Sequence, residues 1–106
     1  MRTEYGKLVR DKIPDIIRAE GRTCATATVS GPALLRLLKQ KLQEEATEAA
    51  GADGPALISE LADVREVIDA LSAAAGITDT NLSREQARRR QERGGFDSKT
   101  LLLWVE

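Results

Sequence analysis

The sequence predicts an all-α fold, a helical hairpin forming a four-helix bundle that dimerisation completes, with short terminal helices and a small β-hairpin. Three observations predict it. Across residues 33–50 nothing breaks a helix, and Leu34, Leu37, Leu38 and Leu42 recur at helical spacing. Residues 56–75 form a second such stretch, with Leu57, Leu61, Val64, Ile68 and Leu71 on a three-to-four-residue stripe. Between them, Gly51-Ala52-Asp53-Gly54-Pro55 is a turn short enough to set the two helices antiparallel.

The remaining elements follow in order. Residues 5–14 alternate apolar and basic side chains and stop at Pro14. Residues 15–20 have room for one or two helical turns, closed by Gly21. Residues 22–29 alternate small and β-branched side chains, the pattern of a short strand. Ser30-Gly31-Pro32 opens the first long helix, because proline is tolerated in a first turn. Pro55 suits the start of the second, and Gly76 stands where a C′ glycine would end it. Ser83 with Gln86 makes a capping box for a third helix through about Arg93, closed by Gly94-Gly95. Residues 100–105, TLLLWV, read as a closing strand suited to pair with residues 22–29.

Composition limits the function classes. At 106 residues, 42% of them apolar, the chain fits one domain, residues 1–106, with a core that must be aliphatic because it has one Phe, one Tyr and one Trp. A domain of this size buries little surface, which favours a homodimer or higher homo-oligomer. The formal net charge of −1 argues against a nucleic-acid partner, which usually demands a basic excess. No apolar run approaches the roughly 20 residues of a membrane span. The charged start lacks a signal-peptide h-region, so no membrane partner and a cytoplasmic location are expected. A single cysteine, Cys24, excludes an intrachain disulfide. Histidine is absent, so any chemistry must use carboxylates, metal-bound water, Lys or Arg, and a zinc site is disfavoured.

The acids crowd the hairpin. Glu45 and Glu48 are three apart on the first long helix, as are Glu60 and Asp63 on the second, so each pair shares a face. An antiparallel pairing centred on Gly54 sets Glu45 level with Asp63 and Glu48 level with Glu60. Four converging carboxylates repel and raise one another's pKa unless a cation neutralises them. Oxygen-only ligation selects a hard ion, Mg²⁺ with Mn²⁺ as substitute, and such an ion takes substrate phosphates as further ligands. A single E-E-x-x-E is more often a solvated helix face; the mirrored E-x-x-D at matching depth shifts the balance.

These residues resemble a known family. Glu44-Glu45-Ala46-Thr47-Glu48 followed by Glu60-Leu61-Ala62-Asp63 is similar to the EExxE…ExxD signature of the MazG-like all-α nucleotide pyrophosphohydrolases. The opening YGKLVRDKIP (residues 5–14) and the late RGGF (residues 93–96) look like its small stand-alone house-cleaning branch, also described as phosphoribosyl-ATP pyrophosphohydrolase-like. The resemblance covers nearly the whole chain. It implies Mg²⁺-dependent hydrolysis of a nucleoside triphosphate between its α- and β-phosphates. It makes Glu45, Glu48, Glu60 and Asp63 the metal ligands, and Glu44 a further ligand or the orienter of the attacking water. It also implies a dimer or higher assembly. Glu48 and Glu60 enclose eleven residues, at the short end of the family's gap, which leaves little room for a substrate loop. Phosphoribosyl-ATP hydrolysis and a non-catalytic helical dimerisation or regulatory module are the alternative readings.

Other residues are weighed against plainer roles. Lys41, one turn before Glu45, could reach a phosphate or pair with that carboxylate. Lys7, Arg10 and Lys12 could bind the triphosphate or belong to a solvated terminus. Arg88, Arg89 and Arg90 fit a solvated face pairing with Glu85 and Glu92, whereas Arg93 beside Gly94-Gly95 suits a phosphate, since backbone can approach closely there. Trp104 could stack on a base, but a core role is the plainer expectation; Cys24 is expected to be small and buried, and Glu66 and Asp69 to lie on the surface.

Overall fold

Two long helices dominate the computed structural model, which describes residues 2–106. In order, the elements are α1 (Ile13–Ala19), α2 (Gly31–Ala50), α3 (Pro55–Ala74) and α4 (Asp79–Arg93). The all-α class and the helical hairpin expected from the sequence are both present. Ser30 precedes α2 in an extended conformation, and Pro32 lies in its first turn, where a missing N–H leaves no bond unmade. Gly51–Gly54 turn the chain, and Gly54 takes φ +59, which only glycine adopts without strain. Pro55 then opens α3.

The end of α3 is a Schellman motif. Gly76, at φ +73, donates to the Ala73 carbonyl at 3.1 Å, and Ile77 donates to the Ser72 carbonyl at 2.8 Å. Both bonds satisfy carbonyls that a helix end otherwise strands. The helix α4 starts earlier than the Ser83 capping box predicts. Thr78 is extended and its Oγ1 accepts from the Asn81 N–H at 3.1 Å, while Asp79 sits in the first turn. A cap plus an acid at the positive end of the helix dipole stabilises one more turn ahead of Ser83.

The contacts between helices are almost all between α2 and α3, and among the helices α4 touches α3 alone. Among the described residues, Leu38 on α2 and Val67 on α3 are the buried apolar ones, and Glu45 of α2 is buried as well. The apolar stripe of α3 splits into two. Leu57, Val64 and Leu71 turn inwards and are half-buried, whereas Leu61 and Ile68 are exposed. The radius of gyration is 18.1 Å. A compact chain of this length would measure about 13 Å, so α4 and the residues after it project from the hairpin.

The expected β-hairpin is not formed: no strand occurs among the described residues. Residues 22–29 and 100–105 are irregular, and a lone two-stranded ribbon has too few pairing bonds and too little buried surface to persist. For the same reason Trp104 is not core but 71% exposed. Cys24 is half-buried, its Sγ 3.9 Å from the Pro14 carbonyl. Glu66 and Asp69 are exposed, as expected. No described helix is long and apolar enough to cross a membrane.

Candidate metal centre

The hairpin register brings carboxylates from both helices to one point. Glu45 of α2 and Glu60 and Asp63 of α3 each offer an oxygen within 4.8 Å of the other two. Glu45 lies on the inward seam one turn beyond Lys41 and is only 8% exposed. Its Oε2, and that of Glu60, are buried without a hydrogen-bond partner. Glu48 stands beside Glu45 but is exposed at the rim. Three residues along a helix turn the side chain by about 60° from full alignment, which separates a seam position from a rim position.

Burial pushes the Glu45 carboxyl above its ordinary value; the charges of Glu48 and Asp63 push the same way, and Lys41 opposes them. An unpartnered buried carboxylate oxygen is costly, because water has been removed and nothing replaces it. Two carboxylates with such oxygens, brought together from adjacent helices, fit a hard cation bound by oxygen alone.

Basic residues ring this cluster. The segment before α1 straddles both long helices: Lys7 Nζ lies 3.3 Å from Glu44 Oε1 on α2, and Arg10 Nη2 donates to Asp63 Oδ1 on α3 at 2.6 Å. Lys41 Nζ lies between two carboxylates, 3.8 Å from Glu44 and 3.6 Å from Glu45. The structure therefore gathers Lys7, Arg10, Lys41, Glu44, Glu45, Glu48, Glu60 and Asp63 in one region. Two other candidates stand apart. Lys12 is exposed at the α1 N-cap. Arg93 is exposed at the end of α4, a helix that does not approach α2.

Along α4, Arg88 binds Glu85 and Glu92, and its hydrogen bonds hold the Glu85 carboxyl below its usual range. Arg90 pairs instead with Asp97 beyond the helix, at 2.9 Å.

The sequence reading missed the groove beside the carboxylates. It is open and lined by Lys7, Gln40, Gln43, Glu44, Thr47 and Glu48. Gln40, Glu44 and Thr47 are spaced to share one face of α2, the signal from which the groove was readable. Its amides and hydroxyl supply neutral donors and acceptors next to a charged cluster, a combination that suits a polar ligand carrying an anionic end.

No family model matches the chain, and no solved structure matches it. A protein of Mycolicibacterium smegmatis (strain ATCC 700084 / mc(2)155), described as uncharacterized, is 47% identical over 47 residues. That match spans 44% of this chain and 48% of the relative, so the chain is similar to about half of that protein's length.

Proposed function

We propose that this chain is a MazG-like nucleoside triphosphate pyrophosphohydrolase, dependent on Mg²⁺ with Mn²⁺ as substitute. The observation that carries the reading is that Glu45 and Glu60, each with a buried Oε2 that has no hydrogen-bond partner, bring a carboxylate oxygen within 4.8 Å of each other and of Asp63. Glu45, Glu60 and Asp63 would hold the ion, with Glu48 completing the set from the rim. When bound, Mg²⁺ supplies charge neutralisation for phosphoryl oxygens and acidifies a water molecule.

The chain's own residues account for the rest. Glu44, half-buried and paired with Lys7 and Lys41, would orient the attacking water and accept its proton once Lys7 turned to a phosphate. The water oxygen bonds to the α-phosphorus and the bond from that phosphorus to the bridging oxygen breaks, leaving nucleoside monophosphate and pyrophosphate. Lys7 and Arg10 stand where they can exchange carboxylate partners for phosphate oxygens, and Lys41 is held at the same cluster. The amide-lined groove would take the nucleoside. A cytoplasmic, homodimeric protein fits this reading.

The test is pyrophosphate release over standard and damaged nucleoside triphosphates and phosphoribosyl-ATP, with and without Mg²⁺. Mg²⁺-dependent release from a triphosphate is expected. Turnover of phosphoribosyl-ATP alone would reassign the substrate, while no turnover with no metal binding would leave a non-catalytic helical module.

A further inference from the structure

The chain displays two apolar surfaces that its own fold does not bring together. The first is the arm after α4, residues 94–106, every one of which is exposed. It holds Phe96 at 96% exposure and the run Leu101, Leu102, Leu103, Trp104 and Val105. The second is the outer stripe of α3, where Ile58, Leu61 and Ile68 are exposed, Ile58 at 73%. Their spacing of three and seven residues keeps them within about 80° of one another, on the shoulder beside the face that packs on α2. The apolar surface of α3 is thus wider than α2 alone covers.

We propose that this α3 face is covered by the C-terminal arm of a second copy of the chain, so that two subunits exchange arms reciprocally. In the single chain the arm follows α4, which among the helices touches α3 alone, and no residue of the arm is covered by its own hairpin. The junction between α4 and the arm is tied: Arg90 reaches past the helix end to Asp97 at 2.9 Å, and a side chain at Gly95 would meet its guanidinium.

The area agrees. At about 150–250 Å² for an aromatic side chain and less for an aliphatic one, the arm's apolar residues offer on the order of 800 Å². That is about one partner's share of a standard interface. Contiguous exposed apolar patches of this size mark interaction sites on soluble proteins.

Trp104 is the chain's single tryptophan and reports the arm alone. The experiment is sedimentation velocity on the full chain, with Trp104 emission followed over the same dilution series. A dimer is expected whose tryptophan emission is blue-shifted and moves to the water-exposed wavelength in step with dissociation. Leu61→Glu, at a position exposed in the single chain, should leave helicity unchanged, weaken the dimer at least about tenfold and expose Trp104. Leu102→Glu on the arm should act alike. Three results would overturn the proposal: a monomer at all concentrations, buried tryptophan at monomer mass, or a dimer whose Trp104 stays water-exposed or ignores Leu61→Glu.

Discussion

Arg10 binds Asp63 across 53 positions of sequence, Nη2 to Oδ1 at 2.6 Å, and so ties the N-terminal segment to the carboxylate cluster on α3. A guanidinium there neutralises one of the groups that would hold a cation. Under the proposed function, a metal ion would compete with Arg10 for Asp63 until a phosphate gave Arg10 another partner. Both side chains are more than a third exposed, so the pair is worth no more than about 1 kcal/mol. Arg10→Gln should accordingly tighten Mg²⁺ binding about two- to fivefold without nucleotide, and weaken binding of a triphosphate. Calorimetric titration of both ligands checks both signs. Unchanged metal affinity would show that the ion pair does not compete.

Glu45→Gln and Asp63→Asn should each lower pyrophosphate release by at least about 100-fold, as expected for loss of a group that organises transition-state charge. Helical circular dichroism should be preserved. Without metal, Glu45→Gln should melt no lower than the wild type, because it removes a buried charge from a repelling cluster. Near-full activity in either variant would refute the metal assignment.

The pH dependence has a definite sign. Burial, Glu48 and Asp63 raise the Glu45 carboxyl above its ordinary 4.5, against the pull of Lys41. The folded protein then keeps this proton after the unfolded chain has lost it. The contribution of Glu45 to stability is thus present below 4.5 and is lost as pH rises through the raised folded value. A cation competes with that proton, so Mg²⁺ should raise Tm more above the window than below it. Thermal melts of wild type and Glu45→Gln, with and without Mg²⁺ from pH 4 to 8, would test this. An equal Mg²⁺ shift at every pH would contradict it.

Helix capping gives an independent check on α4. Thr78→Ala removes the bond to the Asn81 N–H and should cost about 1 kcal/mol. Ser83→Ala, inside the helix, should change stability by less than half that. Urea unfolding of the two variants would show the asymmetry, and the reverse order would return the helix start to Ser83.

The long helices were readable because local signals agreed: breaker-free stretches, prolines at both starts and Gly76 at a C′ position. The meeting of Glu45, Glu60 and Asp63 was readable too, since two three-residue spacings mirrored about Gly54 leave an antiparallel pair few other arrangements. Other features depend on packing. A composition suited to strands, as in residues 22–29 and 100–105, becomes a ladder only where a neighbouring strand and a covered face exist. Periodicity also merged the two stripes of α3, because 57, 61, 64, 68 and 71 fit helical spacing whichever side meets a partner. The contacts of Lys7 and Arg10 depend on where an irregular segment crosses the hairpin, which no periodic pattern encodes.

The four-residue turn from Gly51 to Gly54 also limits how this hairpin can change in length. One residue added to a single helix between Glu45 and the turn would slide that carboxylate by about 1.5 Å and swing it through about 100°. Insertions and deletions between Glu45 and Asp63 should therefore survive only as balanced additions of about two whole turns to each arm, or as loops bulging from the tip. Indel tolerance across this span would separate a chain selected for its acidic cluster from one selected only for helical packing.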